Sequence, residues 1–190
     1  MDNPLLIALA VVGGVLLLAV IWLVATYNRF VRLRQHITES WSDIDVELKR
    51  RHDLIPNLVA TVKGYAAHER AIFEEIAALR SRAMAPHASA AEIAADESAL
   101  DRAVTRLIAV AEAYPALKAD ANFLALQKEL SLTEDRIAAA RRFYNGNVRE
   151  LNQLCATVPT NLVASAFGFT PASFFEVTSA AEREAPRVSP

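Results

Sequence analysis

The chain reads as an all-α protein, an N-terminal transmembrane helix leading into an antiparallel up-down four-helix bundle. Three observations carry that reading. Residues 5–25, LLIALAVVGGVLLLAVIWLVA, hold no charge, and 21 helical residues reach roughly 31 Å, about the hydrocarbon thickness of a bilayer. The 190 residues contain only five glycines, and abundant Ala, Leu, Glu and Arg favour helix over sheet. Finally, Phe123, Leu130, Ile137, Tyr144 and Leu151 share one heptad position, while Leu126, Thr133, Ala140, Asn147 and Leu154 share another. A 3.5-residue repeat sustained this long is the seam of a helix packed lengthwise against others.

The first element is the anchor, residues 1–28. Its apolar run has no polar face, and Gly13 and Gly14, poor in soluble helices, are common in membrane spans. Trp22 and Tyr27 stand where an interfacial aromatic belt belongs. A cleaved signal peptide needs a basic leader and a shorter apolar core, whereas Met1-Asp2-Asn3-Pro4 has no Lys or Arg. The single cysteine, Cys155, is far from the N-terminus, which argues against a lipidated-cysteine anchor. Arg29, Arg32 and Arg34 follow the run directly. By the positive-inside rule they place the downstream chain in the cytoplasm and the N-terminus outside, a single-pass topology. One cysteine, with no intrachain disulfide to form, agrees with a reducing compartment.

Residues 29–168 are expected to form the cytoplasmic bundle and 169–190 an extended tail. The first soluble helix continues from the anchor through Trp41, Ile44 and Leu48. Pro56 cannot donate to the preceding turn and is expected to kink or interrupt the helix near Leu54-Ile55. A second helix carries Leu58, Val62, Tyr65, Ile72, Ile76 and Leu79 at steps of three and four, with one turn skipped. After the loop AMAPHASA, Ser89-x-x-Glu92 matches a capping box for a third helix with Leu100, Val104, Leu107, Ala111 and Tyr114. Tyr114-Pro115 closes it, and Asp120 or Asn122 can cap the fourth. Pro159 ends that helix, Thr160 can cap a short turn, and Gly168 can stop it.

Several segments together resemble one family. Tyr27-Asn28-Arg29-Phe30-Val31 leads into Trp41-Ser42-x-Ile44-Asp45-Val46-x-Leu48-Lys49-Arg50-Arg51, then His52-Asp53-Leu54-Ile55-Pro56-Asn57-Leu58-Val59 and Val62-Lys63-Gly64-Tyr65. Glu112-Ala113-Tyr114-Pro115-x-Leu117-Lys118-Ala119, Glu134-Asp135-Arg136-Ile137-Ala138, Ala140-Arg141-Arg142-x-Tyr144-Asn145 and Pro159-x-Asn161-Leu162-Val163 follow. Over essentially the whole chain this resembles the bacterial LemA family. The resemblance implies a single-pass membrane protein with a cytoplasmic helical bundle. It implies no catalytic residues, and relatives tied to magnetosome membranes or encoded near membrane proteases. Phe143 departs from the pattern, standing where members carry a polar residue.

Chemistry is sparse. His36, His52, His68 and His87 make no Glu-x-x-His or His-x-x-x-His pair, and a solvated helix face accounts for Glu69, Glu74 and Glu75 beside His68. Cys155 reads as a buried inert thiol. No nucleophile elbow, phosphate loop or dinucleotide fingerprint appears, so neither an enzyme nor a cofactor is expected. Net charge −2 and pI about 6.1, with no binding motif, set nucleic acid aside.

The densest polar cluster is Lys49-Arg50-Arg51-His52-Asp53, followed by Pro56 and Asn57. An interrupted helix frees carbonyls that need partners. Asp53 and Asn57 are four apart and expected to meet Arg141, Arg142, Asn145 or Asn152 on the fourth helix. Either these groups fix bundle register, or Asp53, Pro56, Asn57, Arg141, Arg142 and Asn145 form a recognition patch or hinge. Asn147 in the seam has the same register reading. Phe167, Phe169, Phe174 and Phe175 either fold back as a hydrophobic cap or form a docking surface.

The function expected is a non-catalytic, membrane-anchored scaffold or adaptor, touching lipid through its first helix and protein partners through its bundle, with homo-oligomers open. The alternatives are membrane shaping or envelope-stress sensing, and regulation of a membrane protease.

Overall fold

A computed structural model describes residues 4–176. The described residues form six helices and no strand: α1 (Pro4–Tyr65), α2 (Arg70–Ala83), α3 (Ala90–Ala111), α4 (Pro115–Lys118), α5 (Ala121–Ala156) and α6 (Thr160–Phe167). The molecule is an all-α helical bundle with one long apolar N-terminal helix. The part of the expected extended tail that follows Glu176 lies outside the described residues.

The chain divides into two compact units. The first holds residues 4–39 and 146–172. Its core is Phe30, Leu33, Leu151, Leu154, Val163, Ala164 and Phe169, with Phe30 and Phe169 stacked at 4.6 Å between centroids. Before Thr26 every described side chain of α1 is exposed. This stretch is the one candidate membrane span among the described residues, with a mean hydropathy of 2.9 in its most apolar window.

The second unit holds residues 40–145 and 173–176. Its core draws Ile55, Leu58 and Val62 from α1, Phe73 and Ile76 from α2, Leu100, Val104 and Leu107 from α3, Leu117 from α4, and Phe123 and Leu130 from α5. The pairs Arg50–Glu129 and Glu47–Arg136 run in opposite senses along α1 and α5, so these helices are antiparallel here. One heptad position of the seam, Phe123 through Leu151, is buried at every step, and Thr133 and Leu154 are buried on the other.

Helix ends follow the local chemistry in most cases. Ser89 Oγ accepts from Glu92 N at 3.3 Å, and the Glu92 carboxylate accepts from Ala88 N at 2.9 Å, a capping box displaced by one residue. Asp120 Oδ1 accepts from Phe123 N at 2.9 Å and starts α5. Gly168 adopts φ 70°, the left-handed conformation that ends α6, with Phe169 N bonded to Ala164 O at 2.9 Å. Thr160 is different from expectation. Its hydroxyl donates to Leu154 O at 2.7 Å and Thr157 O at 2.9 Å, closing the end of α5 and leaving the start of α6 uncapped by a side chain.

Pro56 is the larger correction. α1 does not break at Leu54-Ile55 but runs through Pro56 to Tyr65. Proline at 56 deprives His52 O of its helical donor, and Arg80 Nε from α2 supplies one at 2.8 Å. Ile55 and Leu58, fully buried on either side, hold the helix in line. The chain reverses at residues 66–69 instead, which lets Phe73 and Ile76 of α2 return to the core.

Candidate functional site

The site lies in the second unit and begins with two apolar stripes, each interrupted by a charge. On α1 the inward positions are Ile44, Leu48, Arg51, Ile55, Leu58 and Val62, in steps of four and three; on α3 they are Ala94, Glu97, Leu100, Val104 and Leu107. The helix period therefore drives Arg51 and Glu97 into the interior, at 3% and 4% exposure. A buried charge must find a partner, and these two find each other.

Arg51 Nη2 donates to Glu97 Oε2, and Arg51 Nη1 donates to Glu134 Oε1 of α5 at 2.8 Å. His52 Nε2 stands 2.8 Å from Glu97 Oε1. The His52 pKa is lowered to about 4, mainly by burial and secondly by the Arg51 and Arg80 cations. The ring is therefore neutral near pH 7, and a neutral imidazole beside a carboxylate presents its N–H, so Nε2 donates. Arg51 thus joins α1 to α3 and α5 through one guanidinium, and the His52 carbonyl joins α1 to α2. Among the described residues Arg51 Nε has no hydrogen-bond partner.

A cavity of about 420 Å³ opens beside this cluster. Arg51 and Arg141 line it against Glu97, Asp101, Glu134 and Glu176, so acidic groups outnumber basic ones there. Phe175 forms one wall. It is 1% exposed, packs beside Trp41 at 5.7 Å between centroids, and lies under the Arg141 guanidinium at 5.2 Å. Its backbone is pinned by a single amide. Asn145 Nδ2 donates to Phe175 O at 3.1 Å, and Asn145 Oδ1 accepts from Phe175 N at 2.8 Å. Tyr144 adds a bond from its hydroxyl to Ser173 O at 3.0 Å.

The first unit repeats this device with an asparagine seven residues on. Asn152 Nδ2 donates to Ala172 O at 2.9 Å and its Oδ1 accepts from Ala172 N at 2.8 Å. Cys155 is half-buried, its Sγ 3.9 Å from Phe169 O, and burial pushes the thiol pKa up.

Of the residues singled out in the sequence, Arg141 and Asn145 converge on Phe175. Asp53, Pro56 and Asn57 lie exposed on α1, and no hydrogen bond or ion pair among the described residues joins Asp53 or Asn57 to Arg141, Arg142 or Asn145. Arg142 is exposed as well. The phenylalanines divide: Phe169 and Phe175 are buried, while Phe167 stays half exposed. Phe143 is exposed on α5. Glu97 and Arg80 went unrecognised in the sequence. For Glu97 a signal was present, since it extends the Leu100–Val104–Leu107 stripe by one step. Arg80 carried none, because its partner is a backbone carbonyl 28 residues away.

Chemically the arrangement is a closed set of ion pairs and backbone clamps. It fixes helices to one another and the tail to α5.

The chain is 27% identical over 188 residues to Magnetosome protein MamQ 2 of Paramagnetospirillum magneticum, covering 84% of this chain and 69% of that one. It is 24% identical over 198 residues to Magnetosome protein MamQ of Magnetospirillum gryphiswaldense, covering 91% and 73%. Protein LemA of Metamycoplasma hominis is 26% identical over 151 residues, covering 80% and 69%. The LemA family pattern matches residues 40–189, which take in the buried cluster and its clamp, and on that match the chain belongs to the LemA family.

Proposed function

We propose that this protein is a single-pass, membrane-anchored and non-catalytic scaffold, its bundle in the cytoplasm and its outer faces presented to protein partners. The observation that carries the reading is the continuity of α1. One helix runs without a break from an apolar segment exposed at every side chain into the bundle core. The membrane segment and the start of the bundle are thus parts of one helix. Arg29, Arg32 and Arg34 support the cytoplasmic side. The non-catalytic part is supported by the state of the reactive groups: Glu97 is engaged by Arg51 and His52, and the Cys155 thiol is held away from its thiolate.

In-cell crosslinking with an affinity tag after Pro190 tests the reading. A reproducible heterologous partner, lost on substituting exposed bundle residues such as Asp53 or Asn57 while helicity is retained, is the expected result. Capture of the protein alone excludes an adaptor and favours self-assembly. A second reading, membrane shaping, draws on the magnetosome proteins among the relatives and on the three arginines after the apolar run. It requires the arginines to bind anionic vesicles in a salt-sensitive manner.

A further inference from the structure

We propose that the α5–α6 turn and α6 are embedded in the headgroup region of the bilayer that α1 crosses, giving the first unit a second, uncharged membrane contact. The inference rests on reading residues 5–25 as a membrane span. Its own support is separate and comes from the far end of the chain.

From Leu151 to Phe175 there is no Asp, Glu, Lys, Arg or His, a run of 25 residues. Within it Val158, Leu162 and Phe167 are 73%, 66% and 49% exposed. Two side-chain contacts locate this surface along α1. Arg29 pairs with Glu150 at 2.8 Å, and the Tyr27 and Phe167 rings meet edge-on at 4.9 Å. Lower numbers on α1 thus meet higher numbers beyond it. α5 continues six residues past Glu150 to Ala156, about 9 Å at the helical rise, which brings its end level with the last turn of the apolar segment. Thr26 is the first described α1 residue to be buried.

An apolar surface at that height meets lipid, not water. Val158, Leu162 and Phe167 would lie at the boundary of headgroups and acyl chains, to which interfacial helices bury their apolar sides. Tyr27 and Phe167 then form one aromatic pair in the belt that such boundaries favour. Arg29 and Glu150 satisfy each other just below it. The contact is therefore with hydrocarbon and interface, and is insensitive to salt and lipid charge.

Spin labels on the full chain in lipid nanodiscs test this. In a Cys155→Ser background, single labels go in through Val24→Cys, Val158→Cys, Leu162→Cys and Phe143→Cys, and collisions with oxygen and a water-soluble nickel chelate are compared. The expected result is a several-fold higher oxygen-to-nickel ratio at 158 and 162 than at 143, approaching the ratio at 24. Water-like ratios at 158 and 162 with a lipid-like ratio at 24 overturn the inference and leave the span intact. A water-like ratio at 24 overturns both. Spin–spin broadening at 162 would place a second copy there and overturn the lipid contact. The unsubstituted chain gives an independent readout: a headgroup-level photoactivatable lipid should label residues 157–167, and absence of label there alongside labelled α1 also overturns it.

Discussion

The two units pack with opposite chemistry, although both are built on α1 and α5. In the first, aromatic and aliphatic side chains close the core, with the stacked Phe30 and Phe169 at its centre, and the α5–α6 connection carries no charge. In the second, Arg51, His52 and Glu97 lie inside the bundle. Both fasten the C-terminal segment with the same device, an asparagine amide bonded twice to one backbone residue. The difference teaches where charge is tolerated. Buried ions need several helices to supply partners, and the second unit has α1, α3 and α5 converging on one guanidinium. The core of the first unit is closed by apolar side chains.

The contrast can be broken most severely at Glu97. Glu97→Ala leaves Arg51 and His52 without their shared carboxylate, and breaking a buried pair from one side costs about 3–5 kcal/mol. Chemical denaturation of the full chain in detergent, followed by helicity, should show this loss; a change under 1 kcal/mol would mean the cluster is solvated and the units are alike. A smaller effect comes from pH. The folded-state pKa of His52, about 4, lies below the ordinary histidine value of 6.5. Unfolded chains take up the proton first, so stability is complete above 6.5 and falls as pH drops toward 4, by at most about 3 kcal/mol. Denaturation midpoints across that window should decline, and His52→Gln should flatten part of the slope.

The clamps come next. Asn145→Ala deletes both bonds to Phe175 and leaves its N–H and C=O unpaired, at about 1–3 kcal/mol. Hydrogen exchange at the Phe175 amide should accelerate while Ala172 stays protected, and Asn152→Ala should reverse the pattern. The smallest effect belongs to Arg29→Ala. Its pair with Glu150 is about half exposed on both sides, and such pairs contribute about 0–1 kcal/mol. A loss as large as that of Glu97→Ala would show that the first unit also depends on charge.

Much of this fold was legible beforehand because periodicity is a local property. The seam from Phe123 to Leu154, the capping box at Ser89 and the stop at Gly168 each depend on residues within a few turns of one another. Pro56 shows where that reading ends. The missing N–H frees a carbonyl that needs a partner, and the partner is Arg80 on another helix, so α1 does not break there. Glu97 lies between: its place on an apolar stripe was readable, its partnership with Arg51 was not. The site residues divided likewise, Asn145 and Arg141 engaging Phe175 while Asp53 and Asn57 faced outward.

The sequence by itself determined the apolar first segment, the all-helical class, the family and the inward stripes of α3 and α5, because a helical period and a charge-free run are written residue by residue. The tertiary structure alone decided that α1 passes intact through Pro56, that Arg51 meets Glu97 and Glu134, and that Asn145 and Asn152 hold the tail. Those outcomes rest on donors and acceptors distant in the chain, whose pairing is set by which helices pack side by side.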